Sequence, residues 1–321
     1  MELLVIILLL LLISISLSQT EAAESANIAL PGCPNSCGGV PIPYPFGIGV
    51  NCAMSRDFEV RCITAHNGMS TPYMSEHFNQ TCWKWNNSTA NFDLSYYTAI
   101  AIRDINLSLG QARITSPINS QCYDSTTKKV DYNNWEVILT DTPYKFNRER
   151  NKFVAIGCDT LAYIKFSINH NNYWGGCGSW CYSPEALTNG SCSGIGCCQT
   201  DMPNGTSYIW IEFDQNYTSS HVYNFSRCSY AMLTEESDEF NFNTDYITTN
   251  QLLGQNTTAL IDWTIGSTTC DTARTNKSSS YACRSDYSVC LNSGNGPGYL
   301  CNCAKGYQGN PYLEGGCQGR L

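Results

Sequence analysis

Charge is scarce along this chain and leans acidic: Asp, Glu, Lys and Arg make up 14% of 321 residues, with 18 Lys and Arg against 27 Asp and Glu, a formal net charge of −9. Nucleic-acid phosphate requires a dense basic surface, so that class of partner is excluded. Long helices laced with ion pairs are disfavoured by the same shortage. Histidine is scarcer still: His66, His77, His170 and His221 stand apart, none within a nucleophile or metal motif. The stretch Asn-Gly-Ser-Cys-Ser-Gly resembles a nucleophile elbow superficially, but its centre is Cys192, which disulfide use explains better. No cysteine precedes Cys33, and beyond the amino-terminal apolar stretch no run reaches the ~18 residues of a membrane-spanning helix. The expectation is a chain that is not an enzyme, with no metal, no cofactor and no membrane span after its leader.

The leader itself runs from Leu3 to about Leu17, the length of a signal-peptide core, and residues 1–18 are assigned as a signal peptide. It carries no Lys or Arg, and small residues suited to cleavage occur both at Ser16/Ser18 and at Ala22/Ala23. An uncleaved anchor is the alternative. All 19 cysteines follow this leader, which places them in an oxidising, extracellular compartment where bridges form. Glycosylation acceptors of the Asn-x-Ser/Thr type agree, at Asn79, Asn86, Asn87, Asn106, Asn189, Asn204, Asn216, Asn224, Asn256 and Asn276. They are sparsest between Asn106 and Asn189 and after Asn276.

Twenty Tyr and seven Trp replace the missing charge, a balance typical of β-rich modules. Ile100, Ile102, Ile105, Leu107 and Leu109 alternate with polar residues, Gly110-Gln111 marks a turn, and Ala112 to Thr115 returns. Short apolar runs recur at Trp135–Leu139, Phe153–Ile156, Leu161–Ile168 and Tyr208–Phe213, the last with Tyr208, Trp210 and Glu212 on one face and Ile209, Ile211 and Phe213 on the other. Pro41, Pro43 and Pro45 alternate as well, which forces an extended segment unsuited to a central strand. It is expected at an edge or surface, offering Ile42, Tyr44 and Phe46 either as a rigid loop or as an aromatic rim for a sugar.

Cys177, Cys181, Cys192, Cys197 and Cys198 crowd into one stretch with little room for regular structure, so bridges are expected to hold it. Neighbouring Cys197 and Cys198 should reach different partners, because a bridge between adjacent residues is strained. Glu235 to Asp245 reads as an acidic surface segment, and the Ser/Thr-rich stretch 264–280 as a spacer ahead of a small module beginning near Cys270. Its six cysteines, Cys270, Cys283, Cys290, Cys301, Cys303 and Cys317, allow 15 pairings by spacing alone. Thirteen lie upstream, an odd number, so one is free or intermolecular. Zinc at Cys33-x₃-Cys37 or Cys177-x₃-Cys181 is disfavoured by the oxidising compartment and the few histidines.

The one-residue gap Cys301-Asn302-Cys303 followed by GYQGNPYLEGGC resembles an epidermal-growth-factor-like (EGF-like) module. That resemblance implies the pairs Cys270–Cys290, Cys283–Cys301 and Cys303–Cys317, and the residues before Cys270 lack the acidic ligands of its calcium-binding variety. More widely, CPNSCGGVPIPYPFGIG, QCYD at 121–124, FVAIGCDT at 153–160, NGSCSGIGCCQT at 189–200 and RCSYAML at 227–233 occur in order. Together with the leader and the final block they make the chain similar to the ectodomain of a plant wall-associated receptor kinase, truncated before the membrane span and kinase.

The resemblance implies a mainly β, disulfide-rich architecture: a galacturonan-binding module at 31–95, a β-rich cysteine-rich region at 96–265 and one EGF-like module at 270–317. It implies a secreted, cell-wall location, or association with the plasma membrane through related receptors, and pectin (homogalacturonan) as partner. The alternative is a soluble partner or decoy for full-length wall-associated receptors or peptide ligands. Cys82 matches no cysteine of the family pattern and is the expected unpaired thiol. Arg56, Arg61 and Lys84 are the candidate uronate clamps, arginine being suited by its planar fork, with Tyr44, Phe46 and Trp83 as stacking faces. Lys145, Arg148, Arg150 and Lys152 form a second, denser basic set interrupted by Glu149.

Overall fold

The structure, a computed structural model, describes residues 28–49, 51–75, 79–86, 91–236, 241–276 and 281–320, with backbone alone for 79, 80, 82–86 and 91–98. The leader, His77, Asn87, Asp238, Glu239 and residues 277–280 lie outside the described residues.

Among the first described residues the chain builds two small sheets. β1 (Ser36–Cys37) pairs with β2 (Val40–Pro41) across Gly38-Gly39, whose φ angles are +58° and +81°. A Cβ at Gly38 would fall on the Ser70 carbonyl, so glycine is required there for close approach as well as for conformation. β3 (Gly47–Ile48) runs parallel to β4 (Glu59–Thr64), and β4 antiparallel to β5 (Ser70–Met74). Cys33–Cys52 and Cys37–Cys62 staple them.

The proline-rich segment is not the exposed rim that its extended character suggests. Ile42, Tyr44 and Phe46 are 0%, 7% and 2% exposed. Alternating prolines leave three amides needing partners, and each finds a carbonyl: Ile42 donates to Asn35, Tyr44 to Ile28 and Phe46 to Pro43. With its polar groups satisfied locally, the segment can enter the core without joining a sheet. There Phe46 meets Phe58 and Trp263 edge-on, at 5.2 and 5.3 Å between ring centres.

The central region contributes β6 (Asn79–Asn86), β7 (Asn91–Ala99), β8 (Ile102–Asn106), β9 (Gln111–Pro117), β10 (Asn119–Asp124), β11 (Lys129–Ile138), β12 (Tyr144–Phe146), β13 (Asn151–Ile156), β14 (Thr160–Ile168), β15 (Asn171–Ser179), β16 (Cys197–Asp201), β17 (Tyr208–Phe213), β18 (Cys228–Glu235) and β19 (Asn256–Trp263). A large sheet runs β15-β14-β17-β11-β10-β18-β13-β16, with β6 also on β11 and β7 on β6; a second runs β12-β19-β9-β8. β18, buried at every position, lies against β19 and β9 and joins the two sheets. Alternation reads correctly along β17, whose Ile209, Ile211 and Phe213 are buried while Tyr208, Trp210 and Glu212 are half-buried.

Two buried asparagines stand in for backbone, one where these sheets meet and one within the large sheet. Asn151 exchanges both amide hydrogen bonds with Leu260, at 2.7 and 2.9 Å. Asn119 donates to the Ala231 carbonyl and accepts from the Trp135 amide. The cysteine-dense stretch is flanked by regular strands rather than left irregular throughout, since β15 and β16 enter it from both ends. Cys197 bonds Cys192 while Cys198 bonds Cys177, as successive strand residues facing opposite ways should. Cys122–Cys228 and Cys158–Cys181 complete the region.

After the short helices α1 (Asp245–Thr248) and α2 (Cys270–Thr275) come the hairpin β20 (Ser288–Asn292) with β21 (Tyr299–Cys303), and β22 (Tyr307–Gly309) with β23 (Cys317–Gly319). The structure pairs Cys270–Cys290, Cys283–Cys301 and Cys303–Cys317. The Ser/Thr-rich stretch is packed at its start and exposed at 266–269. Thr264 and Ile265 are buried, and Ile265 exchanges hydrogen bonds with Tyr299. Asn310 donates to the carbonyls of Tyr44 and Ile28, Asn295 donates to the Phe146 carbonyl, and Tyr312 lies 5.9 Å from Trp263. The beginning, middle and end of the described chain therefore share one hydrophobic core.

Candidate functional site

A polar cleft of about 880 Å³ opens where β8 and β9 meet the end of β18. Three guanidinium groups line it, Arg103, Arg113 and Arg150, against the carboxylates of Asp104 and Glu235, which leaves one net positive charge in an acidic chain. A smaller cavity of about 400 Å³ continues from it past Arg103, Ile118, Gln255 and Asn256 to Thr71 and Tyr73 on β5. A cavity lined by Arg284 and Glu314 is neutral, and two others have the opposite balance. Around Lys145 there are two carboxylates, Asp57 and Asp141, and beside the carboxy-terminal hairpin Glu149 and Asp262 outnumber Arg148.

Glu235 organises the cleft. Its side chain is 5% exposed and accepts from Arg113 Nε and Nη2 at 2.8 and 3.1 Å and from Arg150 at 2.6 Å. Arg113 also reaches Asp104 at 2.9 Å, and Glu235, the leading cause, pushes its guanidinium above the ordinary value. Arg113 and Arg150 thus present planar forks fixed from behind by a buried carboxylate. Arg103 sits at the irregularity where the β8–β9 register shifts between Ile102 and Asp104, and this re-aims its side chain. It is exposed, with Nε donating to the Thr115 hydroxyl at 3.2 Å. Threonine hydroxyls and amides from Thr234, Thr257, Gln255 and Asn256, with the Tyr246 ring, complete a wall suited to carboxylates and hydroxyls.

The expected site residues are dispersed. Phe46 is buried in the core, and Tyr44, also largely buried, edges a cavity of about 370 Å³ with Arg284 and Tyr312. Arg56 is exposed, and its neighbours Ser55 and Asp57 line the cavity around Lys145. Arg61 on β4 stands opposite Tyr73, which lines the continuation of the arginine cleft, so the two arginines lie beside different cavities. The backbone register sets Lys84 opposite Asn133 and Trp83 opposite Asn134; their side chains lie outside the description.

In the second basic set Arg150 is bound to Glu235, and Lys152 to Asp201 at 2.6 Å and Glu236 at 3.4 Å. Lys145 is half-buried, and Arg148 remains exposed. Sequence reading missed Arg103 and Arg113 because each looks like an ordinary polar position in an alternating strand. Asn189, Asn204, Asn216, Asn224, Asn256 and Asn276 are exposed and Asn106 is half-buried; the side chains of Asn79 and Asn86 are not described. The eighteen cysteines other than Cys82 pair among themselves.

Comparison with known proteins bears on this site. Residues 33–80 match the family described as wall-associated receptor kinase galacturonan-binding. The chain is 32% identical over 288 residues to wall-associated receptor kinase 2 of Arabidopsis thaliana and 31% over 292 residues to wall-associated receptor kinase 1, in each case 89% of this chain and 34% of the relative. Wall-associated receptor kinase-like 10 of the same plant is 27% identical over 327 residues. The chain spans about a third of the length of these curated relatives. No solved structure matches it.

Proposed function

We propose, from this similarity to wall-associated receptor kinases, that the chain is an extracellular, pectin-binding receptor-like ectodomain that holds galacturonan in the arginine cleft. The observation that carries the reading is local charge: the net positive groove, itself lined by residues outside the matched segment, continues into a smaller cavity that reaches Thr71 and Tyr73 on β5, inside the segment that matches the galacturonan-binding family. Overall acidity does not oppose this, because at physiological salt charges more than about 8 Å apart are largely screened. Arg103 and Arg150 would take uronate carboxylates, with Arg113, whose three nitrogens already bond Glu235 and Asp104, as fixed positive charge beside them, and Tyr73 and Tyr246 would take the sugar faces. Export by residues 1–18, glycosylation at the exposed acceptors and an EGF-like module at 270–317 belong to the same proposal.

Retention on immobilised polygalacturonate across a salt gradient tests it. Arg103→Gln should elute at lower salt than wild type, while Arg56→Gln, beside another cavity, should elute unchanged. Equal retention of wild type and Arg103→Gln, or retention indifferent to salt, overturns the assignment. A second reading, recognition of a protein partner, has its own observation: Tyr287, Val289 and Leu291, at and just before β20, are 51%, 39% and 46% exposed. Loss of binding to a related receptor ectodomain in Val289→Asp, with pectin retention intact, would support it.

A further inference from the structure

Asn256 stands where the arginine cleft and its smaller continuation meet, and with Thr257 and Thr258 it forms an Asn-x-Thr glycosylation acceptor. Among the described residues that line these cavities, only Arg103, Ile118 and Gln255 share that double position. A ligand running from Arg150 in the cleft to Tyr73 in the continuation must pass it.

The backbone accounts for the placement. Gly254, at φ +71°, lies in a turn whose Gln255 amide donates to the Leu252 carbonyl at 3.2 Å, and the chain leaves it as β19 with Asn256 first, opposite Pro117 on β9. At this strand entry the side chain is exposed rather than packed. Its amide nitrogen, the atom a glycan would occupy, is also open. Asn204 Nδ2 donates to the Gly294 carbonyl at 3.3 Å and Asn216 Nδ2 to Asp214 at 2.9 Å, whereas Asn256 Nδ2 donates to no described residue. Of the acceptors whose side chains are described, Asn256 alone lines the cleft or its continuation.

We propose that N-glycosylation of Asn256 gates the arginine cleft and confines it to short galacturonan segments, an inference that rests on the pectin reading of that cleft. In the secretory pathway Nδ2 bonds the anomeric carbon of the first N-acetylglucosamine, the amide loses a proton, and the polyprenyl pyrophosphate of the lipid-linked donor leaves. Bare, the Asn256 amide belongs to the polar wall. Modified, it roots a bulky branched sugar at the seam, and a polymer can no longer lie through both cavities at once. A neutral glycan leaves the positive charge of the cleft in place. The block is therefore steric, and it discriminates by ligand length.

The test uses the full chain made in a secretory host, with peptide mass spectrometry to read occupancy at Asn256 and calorimetric titration with a long oligogalacturonate and with digalacturonate. Asn256→Gln and Thr258→Ala remove the acceptor through different residues, and both should bind the long oligomer about tenfold more tightly than glycosylated wild type, the worth of one added charge-assisted hydrogen bond. Because the expected change is a gain, misfolding cannot mimic it. Digalacturonate should bind all three alike, and Thr258→Ser, which keeps the acceptor, should match wild type. An unoccupied Asn256, or equal long-oligomer affinity of occupied wild type and both variants, overturns the proposal. If Arg103→Gln loses binding while wild type and Asn256→Gln stay equal, the gate alone falls; if no form binds either oligomer, the pectin reading of the cleft falls with it.

Discussion

Removing the charges that hold Glu235 should destabilise the protein in a strongly non-additive way. The carboxylate is nearly buried and accepts three hydrogen bonds, two from Arg113 and one from Arg150. In Arg113→Met or Arg150→Met the other arginine still neutralises it. Both arginines are a third or more exposed, 34% and 42%, so each loss should fall at the low end of the range for charged hydrogen bonds, about 1–2 kcal/mol. The double variant strands the carboxylate without compensation, which costs about 3–5 kcal/mol and should exceed the sum of the single effects by about 0.5–3 kcal/mol.

Urea denaturation of the disulfide-intact chain measures all three, and adding Glu235→Met to the double variant should recover most of the loss. Strict additivity, or no recovery, would refute the claim that Glu235 is a buried charge dependent on both arginines. Stability and binding should also part company in Glu235→Gln. Removing the carboxylate raises the net charge of the cleft from one to two, so polygalacturonate retention should rise while stability falls by about 1–3 kcal/mol.

Trp263→Ala should cost about 3–5 kcal/mol, because the ring is fully buried between Phe46, Phe58 and Tyr312. Unfolding should stay a single transition at a lower midpoint, and a separate, unaffected transition for residues 270–317 would contradict the shared core. Burial holds the Lys145 ammonium below its ordinary value of 10.5, against the pull of Asp141. The unfolded chain therefore binds the extra proton between the folded value and 10.5, stability rises with pH through that window, and Lys145→Met should be more stable than wild type at pH 7 with the gain gone above it. Burial pushes the Tyr230 phenol from 10.0 up to about 12, so its stabilisation is intact below pH 10 and erodes toward pH 12. Tyr230→Phe should flatten that alkaline decline, measured by denaturation at stepped pH.

How far the sequence carried depends on the range of the interaction that decided each feature. Strand positions in β14 and β17 follow from period-two alternation and that of β13 from a short apolar run, both of which are local. The divergence of Cys197 and Cys198 is local too. The fate of Ile42, Tyr44 and Phe46 was not, since extended backbone is compatible with either an edge or a core. Phe46 packs on Trp263, more than two hundred residues along the chain, and the Tyr44 carbonyl accepts from the Asn310 amide. The basic set at 145–152 shows the same limit: its charges look available until Glu235, Glu236 and Asp201 arrive from β18 and β16.

By itself, the sequence determined that this is an acidic, β-built, cysteine-rich chain similar to wall-associated receptor kinases, because composition, alternation and the order of cysteine blocks are properties of neighbours along the polymer. The tertiary structure alone decided where a ligand can sit. A charged binding surface depends on which charges remain uncompensated, and residues that settle that balance, such as Arg113 and Glu235, lie 122 positions apart until the sheets pack.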